Sequence, residues 1–168
     1  MVPEHARRRR RAAAPAAAAP RVTLQRGTRG AWIPGRALLR RWAGAALGRG
    51  GRNCELAVLV VGATRGRALN RRYRQRDHAT NVLSFPALPG LAARPRPLGD
   101  LVLCPSVIER EAAEQGKSLR AHWAHLVVHG VLHLAGFDHE HDADARRMER
   151  REIRVLRALG VPNPYRSR

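Results

Sequence analysis

Only two cysteines occur, Cys54 and Cys104, far apart and outside any C-x-x-C pattern. That argues against a disulfide framework and against a thiolate metal site, and it fits a reducing compartment such as the cytosol. No apolar run approaches the ~20 residues that span a bilayer, so no membrane-spanning segment is expected. Acidic residues are scarce: 13 against 32 Lys plus Arg, a formal net charge of +19. Such an imbalance attracts polyanions, nucleic acid or an anionic membrane surface. Lysine is nearly absent as well, Lys117 being the only one. The basic surplus is therefore almost wholly arginine, and part of it is what a nucleotide bias toward Arg and Ala codons produces. There are no internal repeats.

What is present amounts to one domain with a tail. A chain of 168 residues is long enough to bury a sizeable core. Residues 1–20 differ in composition from the rest, with arginines at 7–11 followed by an Ala/Pro tract ending at Pro20. A charged start before Ala-rich sequence resembles a signal peptide, but Pro15 breaks a weakly apolar tract. The expectation is a disordered basic arm, or a start site placed too early. Residues 21–168 form the single folded domain.

Within it, residues 22–25 alternate apolar and polar as a short strand does. After Pro34-Gly35, Leu38, Leu39, Trp42, Ala45 and Ala46 recur at helical spacing. Residues 56–61 are a continuous β-branched-rich run, read as a buried strand. Residues 63–74 read as a helix crossing over the sheet, with Ala68, Leu69 and Tyr73 on its inner side. Strands follow at 81–85 and 98–104, separated by a loop over 88–97. Asp100 reads as a turn leading into the second of these strands. A short helix over 106–115 has Ser106 as its cap with Glu109 three residues on. Another helix starts near Ser118. A last helix is capped by Asp142 or Asp144, has Met148, Ile153, Val155, Leu156 and Leu159 as its apolar face, and stops at Gly160. Strands in the first half and helices in the second predict an α+β domain: a small mixed β-sheet of about four strands packed with about five helices.

One stretch is spaced for chemistry. In residues 129–139, HGVLHLAGFDH, His129 and His133 are four apart within an apolar run, which puts both imidazoles on one helix face a turn apart. Gly136 stands where a helix end takes a left-handed residue, so the chain can reverse and bring His139 back toward the pair. A single histidine on an apolar helix is usually a core or rim residue. Three at H-x3-H-x5-H around a glycine are instead the ligand set of one Zn2+ ion, His129, His133 and His139, at the end of a central helix. Three neutral imidazoles leave a fourth position open, as in catalytic zinc sites. His122 and His125 extend the same face but lie too far along a straight helix to share that ion with the rest. They are assigned a rim or outer role, His141 a solvated turn, and Asp138 a place orienting a ligand ring.

The spacing matches the H-E-x-x-H-x-x-G-x-x-H peptidase pattern in its histidines and glycine, but Gly130 stands where the glutamate base belongs. Peptide hydrolysis by that route is disfavoured. Phosphodiester cleavage asks instead for a polarising ion and cations, which suits the charge balance.

These residues resemble the signature of the YbeY family of bacterial endoribonucleases, also called rRNA maturation factors. Two further segments agree in order and spacing: LNRRYRQRD at 69–77 leading to TNVLSFP at 80–86, which includes Ser84, and LGD at 98–100. The resemblance runs from about Arg21 to Tyr165. It implies a metal-dependent hydrolase, a single-strand-specific endoribonuclease acting in the cytoplasm on the 3′ end of small-subunit (16S) rRNA. Its partners would be the small ribosomal subunit, ribosomal proteins or an assembly GTPase, and no membrane. The catalytic residues it implies are His129 and Arg74, the latter as a phosphate clamp, a task for which a guanidinium has paired donors. By itself Arg74 reads as an ordinary surface arginine at a helix end. Two other readings stand beside this one: a ribosome-assembly RNA-binding factor with a mainly structural metal, and a zinc peptidase lacking its usual base.

Overall fold

A computed structural model of the chain describes residues 19–90, 93–137 and 141–166. Most of the arm, residues 1–18, lies outside them. The elements run in the order β1 (Arg21–Arg26), α1 (Arg36–Leu47), a 3-10 turn (Gly48–Gly51), β2 (Cys54–Val60), α2 (Ala63–Arg74), β3 (Val82–Pro86), β4 (Arg96–Leu103), α3 (Pro105–Glu114), α4 (Leu119–Leu134) and α5 (Asp142–Ala158). This is the α+β arrangement expected. The strands form one mixed sheet in the order β1-β2-β4-β3, in which β2 runs parallel to both β1 and β4 and β3 is antiparallel to β4. No helix among the described residues is long and apolar enough to cross a membrane.

Strand alternation divides the apolar residues between two faces. Leu56, Val58, Leu101, Leu103 and Val82 face the main core, which they share with α1, α4 and α5. Leu83 and Val102 face the other way, toward Leu69 of α2 and Phe85. The histidine-bearing helix and α2 therefore lie on opposite faces of the sheet.

Several local expectations need correction. The fully buried residues of α2 are Gly66 and Asn70, and Leu69 packs on the sheet as expected, whereas Ala68 is exposed and Tyr73 is 56% exposed, edge-on to Phe85 at 4.9 Å between ring centroids. Gly66 faces Cys104, and Asn70 Nδ2 donates to the His78 carbonyl at 2.8 Å, a bond that holds the segment leading into β3. Helix α3 begins at Pro105 with Cys104 as its uncapped flank, so Ser106 lies inside it and is not a cap. Glu109 reaches instead across the fold, its Oε1 accepting the Ala31 N–H at 2.7 Å. Neither Asp142 nor Asp144 caps α5. Its flanking residue is His141, and both aspartates sit in the first turn, where they complement the positive end of the helix. Strand β4 also begins at Arg96, inside the expected loop, and Asp100 is in mid-strand, paired with Ala57 and Phe85.

Helix α4 is the centre of the packing. It has the expected cap, the Ser118 hydroxyl accepting the Ala121 N–H at 3.2 Å. Ten of its residues are buried, from His122 to Leu134. Each large aliphatic side chain so buried contributes ~1.5–3 kcal/mol, so this helix cannot shift register without heavy loss. Beyond its first two residues the side chains left partly open are Ala121, His125, His129 and His133, one stripe at a spacing of four.

A candidate metal centre on the central helix

Packing sets where the stripe points. Gly130 is pressed against the sheet: a Cβ there would lie 2.7 Å from Leu101 Cδ2, 3.1 Å from Ser84 Oγ and 3.3 Å from Val82 Cγ2. The Ser84 hydroxyl donates to the Gly130 carbonyl at 3.3 Å. With Gly130 against the sheet, His129 and His133 emerge beside it, less than about a third of a turn round the helix, where they are partly open. The glycine at the peptidase-base position is thus a packing requirement, and a glutamate there would be driven into the sheet. Gly130→Ala is expected to destabilise the fold by ~1–3 kcal/mol through overpacking. Urea unfolding measures this, and a variant as stable as the parent would show that the helix can lift off the sheet without loss.

The two imidazoles meet through their Nε2 atoms, 3.2 Å apart, with ring centroids 4.6 Å apart. On its other side His129 bonds through Nδ1 to Glu152 Oε1 at 2.6 Å. A carboxylate only accepts, so Nδ1 carries the proton and the Nε2 lone pair points at His133. Two nitrogens on one tetrahedral zinc at 2.0–2.1 Å are about 3.3 Å apart, so this pair is already at ligand separation. The donor set fits a divalent ion of that kind.

His125, assigned a rim or outer role, is tied to the same cluster. Its Nε2 is 3.2 Å from Glu152 Oε2, and His125, His129 and Glu152 lie close enough together to hold a metal ion. Glu152 comes from α5 and spans the single turn of α4 between His125 and His129, so His125 joins the cluster without having to share an ion with His133, two turns away. His122 is buried and sits outside the cluster, its Nε2 bonded to Glu111 Oε2 at 2.9 Å. Burial lowers its pKa, against the raising effect of Glu111. Glu111 also accepts from Asn81 Nδ2 at 2.8 Å, which ties the start of β3 to α3 and α4. Gly136 has the expected positive φ, +89°. His139 and Asp138 lie outside the described residues.

The residue that sequence reasoning missed is Glu152. Its side chain is 1% exposed. Burial alone would push its pKa up, yet hydrogen bonds from His125, His129 and Tyr165 hold it down to about 2. Tyr165 donates its hydroxyl to Glu152 Oε2, and its own pKa is pushed up by burial and by that carboxylate. In sequence Glu152 stands among Arg150, Arg151 and Arg154 and reads as a solvated charge; the only signal was its place four residues after the buried Met148 and three before Val155.

Arg74 lies in the last turn of α2, exposed, on the far side of the sheet from α4, and makes no hydrogen bond or ion pair with another described residue. The fold does not bring it into contact with the histidines.

Fold and site together define a class: an α+β domain whose buried central helix presents a histidine–carboxylate cluster suited to a divalent ion. Comparison with known proteins gives the family. The profile described as "Endoribonuclease YbeY" matches residues 37–160. A protein of that name from Alkalilimnicola ehrlichii is 56% identical over 140 residues, covering 81% of this chain and 84% of its own. One from Pseudomonas putida is 52% identical over 145 residues, covering 86% and 92%, and one from Methylococcus capsulatus is 50% identical over 146 residues, covering 87% and 95%. The chain belongs to the YbeY endoribonuclease family; it is a hydrolase whose substrate is RNA.

Proposed function

We propose that the chain is a zinc-dependent, single-strand-specific endoribonuclease of rRNA maturation. It acts in the cytoplasm on the 3′ end of 16S rRNA within the small ribosomal subunit, where ribosomal proteins and an assembly GTPase are its neighbours. His129, His133 and His139 hold one Zn2+. The observation that carries this reading is the Nε2–Nε2 pair at 3.2 Å with the far side of His129 committed to Glu152. When bound, such an ion supplies Lewis-acid polarisation of a phosphoryl oxygen and lowers the pKa of water.

The chain's own residues do the rest. Arg74 clamps a phosphate with its paired guanidinium donors. It is one of five arginines on α2, with Arg65, Arg67, Arg71 and Arg72, and that helix has no acidic residue. Since β3 is the edge strand between α2 and α4, an RNA single strand reaches both Arg74 and the histidines by passing over that edge. Residues 1–20 form a basic arm that adds non-specific affinity for phosphates. Glu152 has three donors upon it and is not the proton acceptor, so whichever nucleophile attacks, water or the RNA 2′-OH, its proton goes to solvent water.

Metal analysis of the parent chain beside His133→Ala, with an RNA cleavage assay on both, tests the reading. The expected result is metal in the parent alone and cleavage by the parent alone. Equal metal content would overturn the ligand assignment. Normal ribosome association with no cleavage in His133→Ala separates catalysis from a pure assembly role. End-group analysis assigns the nucleophile, because a 2′,3′-cyclic phosphate product rules out direct attack by water.

A further inference from the structure

We propose that Glu152 and Tyr165 are positioning residues for the metal centre, and that the segment after α5 is a strap that completes it by fixing the tautomer and orientation of His129; this rests on the reading of His129 as a ligand. A buried carboxylate between two helices is a poor way to gain stability, since well-packed apolar side chains there do as well or better. Three donors nevertheless converge on Glu152, from both α4 histidines beside it and from the C-terminal segment: His129 Nδ1 at 2.6 Å, His125 Nε2 at 3.2 Å and the Tyr165 hydroxyl.

The consequence for His129 is specific. Accepting at Nδ1, the carboxylate keeps the proton there and leaves Nε2 as the lone pair that faces His133. Were Glu152 free to rotate, the His129 ring would be free to turn with it. Tyr165 prevents that rotation by occupying Oε2 together with His125, and its ring stands edge-on to His125 at 5.6 Å between centroids.

The strap is itself held at a second point. Lys117 Nζ, in the turn before α4, donates to the Pro164 carbonyl at 2.7 Å and to Gln115 Oε1 at 2.7 Å. The Tyr165 N–H donates to Asn163 Oδ1 at 3.0 Å, which shapes the local turn. Between strap and helix runs a cleft of about 760 Å³, lined in part by Lys117, Ser118, His125, Tyr165 and Arg166, so the strap stands at the mouth of the cluster without sealing it.

The experiment uses the full chain, stripped of metal, with zinc titrated against a competing chelator. The parent is compared with Glu152→Gln, Tyr165→Phe, the double variant and His133→Ala, with a melting curve for each metal-free protein. Glutamine keeps the shape and one acceptor, so folded protein is expected. Glu152→Gln should weaken zinc binding roughly 10- to 100-fold, the range for outer hydrogen-bond partners of ligands. Tyr165→Phe should weaken it about 3- to 10-fold, and the double variant should equal Glu152→Gln, because Tyr165 acts through Glu152. The proposal is overturned if both single variants bind zinc like the parent and only melt lower, if the two effects simply add, or if Glu152→Gln loses zinc as completely as His133→Ala, which would make Glu152 a direct ligand. His133→Ala with parental affinity would instead overturn the ligand reading, a result distinguishable from all of these.

Discussion

Replacing His129 by alanine will abolish ion binding and RNA cleavage, and it will destabilise the metal-free chain more than His133→Ala does. The first effect follows from the ligand role: loss of an outer partner alone costs up to about 100-fold in affinity or activity, so loss of the ligand it supports costs at least that. The second follows from Glu152. Its pKa stands at about 2 against an ordinary 4.5, and the group is almost fully buried. A depressed carboxylate contributes stability that is fully present above about pH 4.5 and is lost as pH falls toward about 2. Taken whole, that shift corresponds to ~3 kcal/mol, shared among three donors. Removing His129 withdraws the shortest of the two histidine bonds and is expected to lower stability at neutral pH by ~1–3 kcal/mol. The deficit should shrink as pH falls below about 4.5, because protonating Glu152 removes in the parent what the variant already lacks. Urea unfolding of both metal-free proteins at about pH 7 and about pH 3 measures it. A deficit of the same size at both values would mean that lost packing, and not the carboxylate, carries the effect.

Gly99→Ala will lose at least about 3 kcal/mol of stability, a fall in Tm of roughly 10 °C for a domain of this size. Gly99 has φ +134°, a conformation that side-chain-bearing residues rarely adopt. A Cβ there would stand 2.2 Å from the Phe85 carbonyl oxygen and 3.0 Å from both Ala87 N and Pro86 Cα. All three are backbone atoms of β3 or its continuation, so nothing can swing aside. The close approach is what lets Gly99 pair with Pro86 on one side and Leu56 on the other, next to the irregularity at Glu55/Leu56 in the β2–β4 ladder. Prising β3 from β4 also removes the platform of Ser84 and Val82 on which Gly130 seats α4. The loss of stability will therefore be accompanied by weaker metal retention. A Gly99→Ala protein melting within about 2 °C of the parent would show that the strands can part locally without consequence.

The motif segments illustrate how much a chain states in one dimension. Residues 80–86 and 98–100 stood out only through resemblance, and their physical reasons are tertiary: Asn81 pairs with Glu111, Ser84 with the backbone of α4, and Gly99 with the backbone of β3. Asn70, in 69–77, likewise serves the His78 carbonyl. None of these partners is near in sequence except the last.

By itself the sequence determined the class of fold, the places of β1, β2 and β3 and the spans of α2 and α4, the Ser118 cap, the turn at Gly136 and the alignment of His129 with His133. These follow from local rules: hydrophobic period, cap chemistry and the reach of four residues along a helix. Only the tertiary structure decided that α2 turns Gly66 and Asn70 inward in place of Ala68, that His125 joins the cluster, and that Glu152 and Tyr165 stand behind it. The physical reason is that a face is a property of one element, whereas a buried, hydrogen-bonded carboxylate is a property of a crossing. Until α5 is laid against α4, Glu152 in its run of arginines is a surface charge; once it is laid there, the same residue is buried and must find donors, and the donors it finds are the histidines.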